Sequence, residues 1–192
     1  LLLSGPLLGA EEVRRMQPAR VHILGASGSG TTTLGRALAT RWAVPHADSD
    51  DYFWMPSDPP YTQKRDEAQR VALMRQIFVP RSAWVLSGSL VGWGDAVVAE
   101  CDALVFLALD PSERLERLHA REEIRYAGKQ HDDAEWHEFM EWAKGYDDPT
   151  FTGRSRVEHD AWMCALGKPV LRLDSRAPVA ELVDSVCVWS LD

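Results

Sequence analysis

Residues 25–33 read GASGSGTTT and have the outline of a phosphate-binding loop, G-x-x-x-x-G-K-[ST]. Glycines let the backbone fold around an anion without an intervening Cβ, and the helix predicted next directs its free N–H groups toward that anion. The Thr32 hydroxyl falls where such loops hold Mg²⁺. A plain structural turn is the alternative interpretation. The candidate phosphate-binding residues are Gly25, Ser27, Gly28, Ser29, Gly30, Thr31, Thr32 and Thr33.

The loop lacks the lysine of that pattern, because Thr31 occupies its position. A charge-assisted hydrogen bond is about twice as strong as a neutral one, so the replacement forfeits on the order of 1 to 3 kcal/mol. Arg36 follows Thr32 by one helical turn, and helical side chains lean toward the N-terminus, which makes it the nearest candidate cation. A solvent-facing Arg36 is the alternative. Arg154 and Arg156, in the segment GRSR, are a second pair that could fold over the phosphates.

Aromatic residues cluster in the proline-rich segment 51–61, DYFWMPSDPPY. Four aromatic rings in such a loop suit stacking on a base, a sugar face or another flat ligand. Tyr52 and Trp54 are therefore candidate substrate-binding residues. A hydrophobic plug beneath the loop is the alternative.

The elements that must position these residues alternate between strand and helix patterns. Near-continuous apolar runs at 21–24, 83–88 and 103–109 are typical of strands covered on both faces. A strand ending at Asp48 and another at 169–173 complete the set. Helical patterns between the strands predict an α/β fold, a three-layer arrangement with a five-stranded parallel sheet and helices on both faces.

Two further segments carry structural expectations. The residues Val71, Met74, Ile77 and Phe78 recur at helical spacing, which predicts a helix over 66–78 with these four side chains on its buried face. The segment 145–156 is rich in Gly, Pro, Asp, Thr and Ser, which predicts a long mobile loop of the kind that carries function.

Composition limits the classes of function. The chain has 192 residues, a formal net charge of -8 and only four lysines, which argues against a protein that coats nucleic acid. An acidic protein that binds an anionic nucleotide must concentrate positive potential locally. His131 and His137 lack the spacing of a helical zinc pair, so we expect no structural metal. No Asn-Lys-x-Asp signature occurs, which makes a GTPase improbable.

The chain is long enough for one domain. We expect residues 1–19 to be a leader or flexible N-terminal extension and residues 20–192 to be the domain. The apolar opening is too short to span a membrane, so we expect no membrane partner. Three widely separated cysteines, Cys101, Cys164 and Cys187, favour reduced thiols and hence a cytoplasmic location. The oligomeric state stays open.

Four stretches together resemble the P-loop kinases of the nucleoside-monophosphate kinase and shikimate kinase group. They are GASGSGTT, the acidic HADSDD at the end of the second strand, VLSGS after the third, and an arginine-bearing helix after the fourth. The resemblance covers most of residues 20–190. It implies a five-stranded parallel sheet, ATP with Mg²⁺ and a small-molecule acceptor. It also implies a substrate-binding region at about 51–80 and a lid at about 111–160.

The resemblance also implies roles for individual residues. Asp48 resembles the acid that orders Mg²⁺ through water, and Asp50 resembles the acid that meets the acceptor hydroxyl. A carboxylate beside a hydroxyl can orient it and take its proton. A helix cap or a solvated turn is the alternative for both. The segment SGSLVGWG lacks the run of three glycines that shikimate kinases show, so shikimate is an unexpected substrate, although Gly88 could offer its N–H to an acceptor.

Arg114, Arg117, Arg121 and Arg125 are spaced three, four and four residues apart, which places them on one helix face. This stripe resembles the lid helices of the same kinases. Arg121 and Arg125, nearest the end of the helix, are the candidate lid cations. A solvated charge stripe is the alternative.

Together with these residues, the resemblance implies a kinase that uses Mg²⁺ and transfers the γ-phosphoryl group of ATP to a hydroxyl or phosphate of a small molecule. A nucleotide-binding protein without catalysis, whose lost lysine marks lost chemistry, is the main alternative. An interaction module that uses the aromatic loop as a partner surface is a third.

Overall fold

The strands form where the sequence has its apolar runs, and each pairs with its neighbours in the parallel direction. The computed structural model describes residues 16–58, 60–125 and 133–190. Within them the sheet has five strands in the order β2-β3-β1-β4-β5, which confirms the predicted fold class. The strands are β1 Arg20–Gly25, β2 His46–Asp48, β3 Trp84–Ser87, β4 Ala103–Ala108 and β5 Val170–Asp174.

Helices follow the strands along the chain. α1, α2 and α3 cover Thr31–Trp42, Ser49–Phe53 and Glu67–Ile77. α4, α5 and α6 cover Asp95–Val98, Pro111–Arg125 and Asp133–Lys144, and a 3₁₀ turn covers Gly145–Asp147. α7 and α8 cover Arg156–Leu166 and Val179–Val188. In the described residues, no helix combines the length and the apolar character that crossing a membrane requires.

Both faces of the sheet are covered because successive side chains of a strand point to opposite faces. In β1, Val21 and Ile23 pack with side chains of α1 and α8. Leu24 belongs to the opposite cluster, which includes residues of α3, α4 and α7. This arrangement gives the predicted three layers. A smaller cluster joins Leu118 of α5 to Met140 and Ala143 of α6.

The carboxyl ends of parallel strands lie at one edge of a sheet, and ligands of open α/β sheets bind at that edge. Here the edge carries the loop after β1, the acids after β2 and the loop after β3. The sheet therefore brings together segments that are far apart in the sequence.

Three expectations need correction. Ile77 is 50% exposed, because α3 ends there and Phe78 and Val79 turn into the core outside the helical period. The segment 145–156 begins with a 3₁₀ turn and ends at the first residue of α7, so the predicted loop is confined to residues 148–155, and it is anchored by Ser155, which is buried and caps α7. Residue 16 belongs to the folded part rather than to the expected extension, since Met16 is buried and donates its N–H to the Cys187 carbonyl at 2.7 Å. Residues 1–15 and His131 lie outside the described residues.

Candidate active site

The loop after β1 opens onto the N-terminus of α1. Gly30 is the N-cap, with φ of 92°, and no side chain caps the helix. The first N–H groups of a helix have no intrahelical partner, so an uncapped start offers them to an anion. Gly28 has φ of +86°, and a Cβ there would lie 2.6 Å from the Arg114 carbonyl oxygen. The loop is therefore pressed against α5, and only a residue without a side chain fits at this point.

Ser29 points into the protein rather than toward the mouth of the loop. Its side chain is buried, and its N–H donates to the Ala26 carbonyl at 3.0 Å. Its own carbonyl accepts from the Ser175 hydroxyl. Ser29 thus shapes the loop through internal bonds, while Thr31 and Thr32 lie in the first turn of α1.

Two guanidinium groups reach the loop at Ser27. Arg154 Nη2 donates to Ser27 Oγ at 2.6 Å, and its guanidinium lies 4.8 Å from the centre of the Trp142 ring. Arg114 Nη1 donates to the Ser27 carbonyl at 3.2 Å, and its side chain is only 1% exposed. Arg114 also forms an ion pair with Asp147, with 3.0 Å between Nη2 and Oδ2. Although the loop contains no lysine, two arginine side chains therefore place positive charge next to it.

The other two candidate cations lie elsewhere. Arg36 is exposed, and its charge acts on His46, whose pKa is lowered first by burial and then by Arg36. Arg156 Nε lies 3.7 Å from Asp160 Oδ2, and its guanidinium is 5.5 Å from the centre of the Phe106 ring. Of the Arg154 and Arg156 pair, the structure brings Arg154 to the loop and turns Arg156 toward the sheet.

Thr32 and Asp48, the two residues that the sequence predicts as Mg²⁺ ligands, are in direct contact. Thr32 Oγ1 donates to Asp48 Oδ2 at 2.7 Å, and Ser87 Oγ donates to the same oxygen at 3.3 Å. Asp48 Oδ1 accepts from the Asp50 N–H at 3.1 Å, so Asp48 also caps α2. His46 Nε2 lies 2.9 Å from Ser87 Oγ and supports this arrangement from behind.

Hard oxygen donors of this kind fit Mg²⁺, which takes few protein ligands and completes its shell with water and phosphate oxygens. Among the described residues, no group of three or more His, Cys, Asp or Glu side chains is arranged to hold a metal by itself. Thr32 and Asp48 would hold the ion together with nucleotide phosphates.

Asp50 lies beside Asp48 in the first turn of α2. Desolvation raises the pKa of Asp50 above its ordinary value, and the Asp48 carboxylate raises it further. Arg154 and Arg121 act in the opposite direction. Asp50 is therefore a carboxylate of increased basicity with two cations near it, a combination that is common at functional sites.

The arginine stripe of α5 divides into two pairs. Arg114 and Arg117 serve the loop region, since Arg117 Nη2 donates to the Ser175 carbonyl at 3.0 Å. Arg121 and Arg125 lie further along α5, where the charge of Arg121 acts on Asp50 and the guanidinium of Arg125 lies over the Tyr61 ring. Desolvation lowers the pKa of Arg121, and the like charge of Arg125 adds to this. The sequence pattern found all four arginines but gave no sign that the first two would hold the loop.

The aromatic segment divides in the same way. Tyr52 is buried in the core, edge-on to Phe78 with ring centres 5.7 Å apart, so we withdraw it from the substrate-binding candidates. Trp54 is half-buried between Phe53 and Tyr61, at 4.9 and 6.1 Å between ring centres. The guanidinium of Arg125 lies 5.4 Å from the centre of the Tyr61 ring, which links this segment to α5.

The proposed donor role of the Gly88 N–H is wrong. That N–H donates to the Ile23 carbonyl at 3.0 Å, because Gly88 continues the pairing of β3 with β1. Its carbonyl accepts from His22 Nε2 at 2.9 Å. Gly88 has φ of +103°, and a Cβ there would overlap the Ser49 hydroxyl. The residue therefore allows a close approach between the loop after β3 and α2.

Sequence reasoning missed Arg70 on α3. Its guanidinium lies 3.9 Å from the Phe53 ring centre and 5.3 Å from that of Trp93, and its Nε donates to the Arg65 carbonyl at 2.8 Å. The residue is 8% exposed. A charged residue within an amphipathic helix predicts a solvated position, so the pattern gave no signal for this one.

The fold and the loop geometry define the class, a protein with the P-loop kinase fold. A gluconokinase from Sinorhizobium meliloti 1021 shares it with a TM-score of 0.53 at 20% identity, over 88% of this chain and 90% of that one. A shikimate kinase from Bacteroides thetaiotaomicron gives 0.49 at 19% identity, over 88% and 95%. No family model matches. The chain is 40% identical over 172 residues to the uncharacterized protein YqaC of Bacillus subtilis (strain 168), across 86% of this chain and 94% of that protein, and it belongs to the YqaC family.

Proposed function

We propose that the protein is a P-loop kinase that transfers the γ-phosphoryl group of ATP to a hydroxyl or phosphate of a small molecule, assisted by Mg²⁺. One observation carries the proposal. The uncapped α1 start, the Thr32 and Asp48 pair, and Asp50 with its cations all meet at the carboxyl edge of one sheet. The fold shared with a gluconokinase supports the same reaction class.

Each residue has a definable task in this proposal. The N–H groups at the start of α1 bind phosphate oxygens, and Arg154 adds the charge that Thr31 cannot supply. Asp50 accepts the proton of the acceptor hydroxyl, for which its raised pKa makes it a stronger base. Arg121 and Arg125 complete the neutralisation from α5. Thr32 and Asp48 would hold Mg²⁺, which when bound would neutralise part of the phosphate charge.

Replacing Asp50 with Asn tests the proposal against a matched control, Asp51→Asn. Asp51 is the neighbouring acid in the same short helix, so both variants remove one carboxylate from the same region. We expect Asp50→Asn to abolish ATP consumption across a panel of nucleosides, nucleotides, sugars, sugar acids and aminoglycoside-like alcohols. We expect MgATP binding, measured by calorimetry, to persist in both variants and turnover to persist in Asp51→Asn. Full activity of Asp50→Asn would remove that residue from the mechanism.

One observation favours a second function, a nucleotide-binding protein without catalysis. Thr31 replaces the residue that places a point charge beside the transferred phosphoryl group, and Arg154 could preserve binding without preserving the chemistry. This alternative predicts heat on mixing with MgATP but no acceptor-dependent ATP consumption in the wild-type chain. The third interpretation, an interaction module, predicts no nucleotide affinity.

The cellular setting is also part of the proposal. Cys101, Cys164 and Cys187 are free thiols, which supports a reducing compartment such as the cytoplasm, where ATP is available. A nucleotide and a small-molecule acceptor are the proposed partners.

A further inference from the structure

Two buried histidines hold the loop that follows β3. His22 Nε2 donates to the Gly88 carbonyl at 2.9 Å, and His159 Nε2 lies 3.1 Å from Ser89 Oγ. Both histidines are 0% exposed. The other ring nitrogen of His159, Nδ1, lies 2.8 Å from the Tyr146 hydroxyl. A continuous hydrogen-bonded chain therefore runs from the 3₁₀ turn after α6, through His159, to the loop after β3.

We infer that His159 is a positioning residue that, together with Tyr146, fixes Ser89 and so sets Asp50 for phosphoryl transfer. The inference rests on the proposed function. Among the described residues, Tyr146, His159 and Ser89 make no hydrogen bond to the phosphate-binding loop, and the Tyr146 ring reaches it only through Arg114, whose guanidinium lies 5.3 Å from the ring centre. Their effect is directed at the loop after β3.

The path from His159 to Asp50 is short. Ser89 follows Gly88, which has φ of +103° and approaches Ser49 so closely that a Cβ would overlap its hydroxyl. Ser49 begins α2, and Asp50 is the next residue. Because the contact between Gly88 and Ser49 has no room to spare, a shift of the loop after β3 must move the first turn of α2 or break the contact.

The His159 ring also stays neutral. Burial lowers the pKa of His159 to about 3, and the charge of Arg154 contributes. Burial raises the pKa of Tyr146 well above its ordinary value, so its hydroxyl keeps its proton. A neutral imidazole has one donor and one acceptor nitrogen, so it can bond to both hydroxyls at once over the whole working pH range.

Single-atom deletions at the two ends of the chain provide the test. Ser89→Ala and Tyr146→Phe each remove one hydroxyl and retain the packing. With MgATP as the probe and water in place of the acceptor, we expect each to lower kcat by about 5-fold, the effect of one hydrogen bond. We expect the KM for MgATP to stay within about twofold, because the nucleotide loop is held by other residues.

Combination variants separate positioning from packing. In a His159→Phe background, Ser89→Ala should not lower kcat further, because the imidazole that bonds to the Ser89 hydroxyl is already absent. His159→Gln places an amide near the Nε2 position, so Ser89→Ala should again lower kcat there. Met163→Ala is the matched control: Met163 is a buried residue of the same helix, and we expect its loss to lower thermal stability without lowering kcat at temperatures where the chain is folded.

The outcomes are distinct. An active wild type with unchanged kcat in Ser89→Ala and Tyr146→Phe overturns the inference and leaves the proposed function standing. The inference is also overturned if the effects of Ser89→Ala and His159→Phe on kcat are independent, so that the double variant loses the product of the two single losses. A wild-type chain that turns over no ATP with water or with any acceptor of the panel rejects the proposed function, and the inference with it.

Discussion

Replacing Arg154 with Gln removes the cation that stands beside the phosphate-binding loop. The Arg154 guanidinium donates to Ser27 Oγ at 2.6 Å and is half-buried over Trp142, so water replaces it poorly. A hydrogen bond to a charged group contributes about 1.5 to 3 kcal/mol. If Arg154 takes the place of the absent lysine, the Kd for MgATP should rise on the order of 10- to 100-fold.

The same variant should change the pH dependence of turnover. Desolvation and Asp48 raise the pKa of Asp50, whereas Arg154 is one of two cations that hold it down. Removing Arg154 should therefore raise the pKa of Asp50 further. In the proposed mechanism the carboxylate form of Asp50 is the active one, so activity should be lost at a higher pH on acidification than in the wild type. A pH series of kcat measures this shift.

Arg156→Gln is the matched control, since it removes an arginine two positions away that contacts Asp160 and Phe106. Thr31→Lys in the Arg154→Gln background returns an ammonium group to the loop, and we expect it to recover at least tenfold in affinity. Isothermal titration calorimetry with MgATP measures all four proteins. Equal affinities of Arg154→Gln and Arg156→Gln would refute the assignment of Arg154 as the compensating cation.

Three other results are expected. Gly88→Ala should destabilise the fold by on the order of 2 kcal/mol more than Gly92→Ala in chemical denaturation, because both have positive φ but only Gly88 has a close neighbour. His22 and His159 have folded-state pKa values of about 4 and about 3. Since the unfolded state binds more protons below pH 6.5, each should cost about 2 kcal/mol of stability by pH 5, in denaturation measured against pH. Arg36→Gln should leave the Kd for MgATP within about twofold, because its side chain is exposed.

Local pattern was sufficient for the fold. The burial of strands on both faces shows directly as apolar runs, so the sheet, its parallel direction and its layers followed from the sequence. The first residue of α5 is Pro111, and proline is favoured at the first position of a helix, so this boundary also has a local signal. The pattern failed at Ile77, where the helix ends and two further residues enter the core, since helical period cannot report where a helix stops.

The positions of Asp48 and Asp50 could also be predicted from the local sequence. Asp48 is the last residue of β2 and Asp50 lies two residues later in α2, and the end of a parallel strand fixes the edge at which they lie. The sequence placed Gly88 at the correct edge of the sheet, but its predicted role as an N–H donor to an acceptor molecule is wrong. Its N–H is taken by Ile23 of the adjacent strand, and strand order, which decides that pairing, was not part of the pattern.

The cations that lie near the lysine-less loop could not be predicted from local sequence patterns. A search along the sequence favours the nearest cation on the same helix, which is Arg36. The guanidinium groups at Ser27 instead come from 87 and 127 residues further along the chain, on segments that reach the loop only when the domain is folded. Arg114 is held there by Asp147 and Arg154 by stacking on Trp142. In a lysine-containing loop, the loop itself supplies the cation. Here the positions of Arg114 and Arg154 depend on the packing of α5, α6 and the 3₁₀ turn. Changes in that packing should therefore alter nucleotide affinity without any change in the loop sequence.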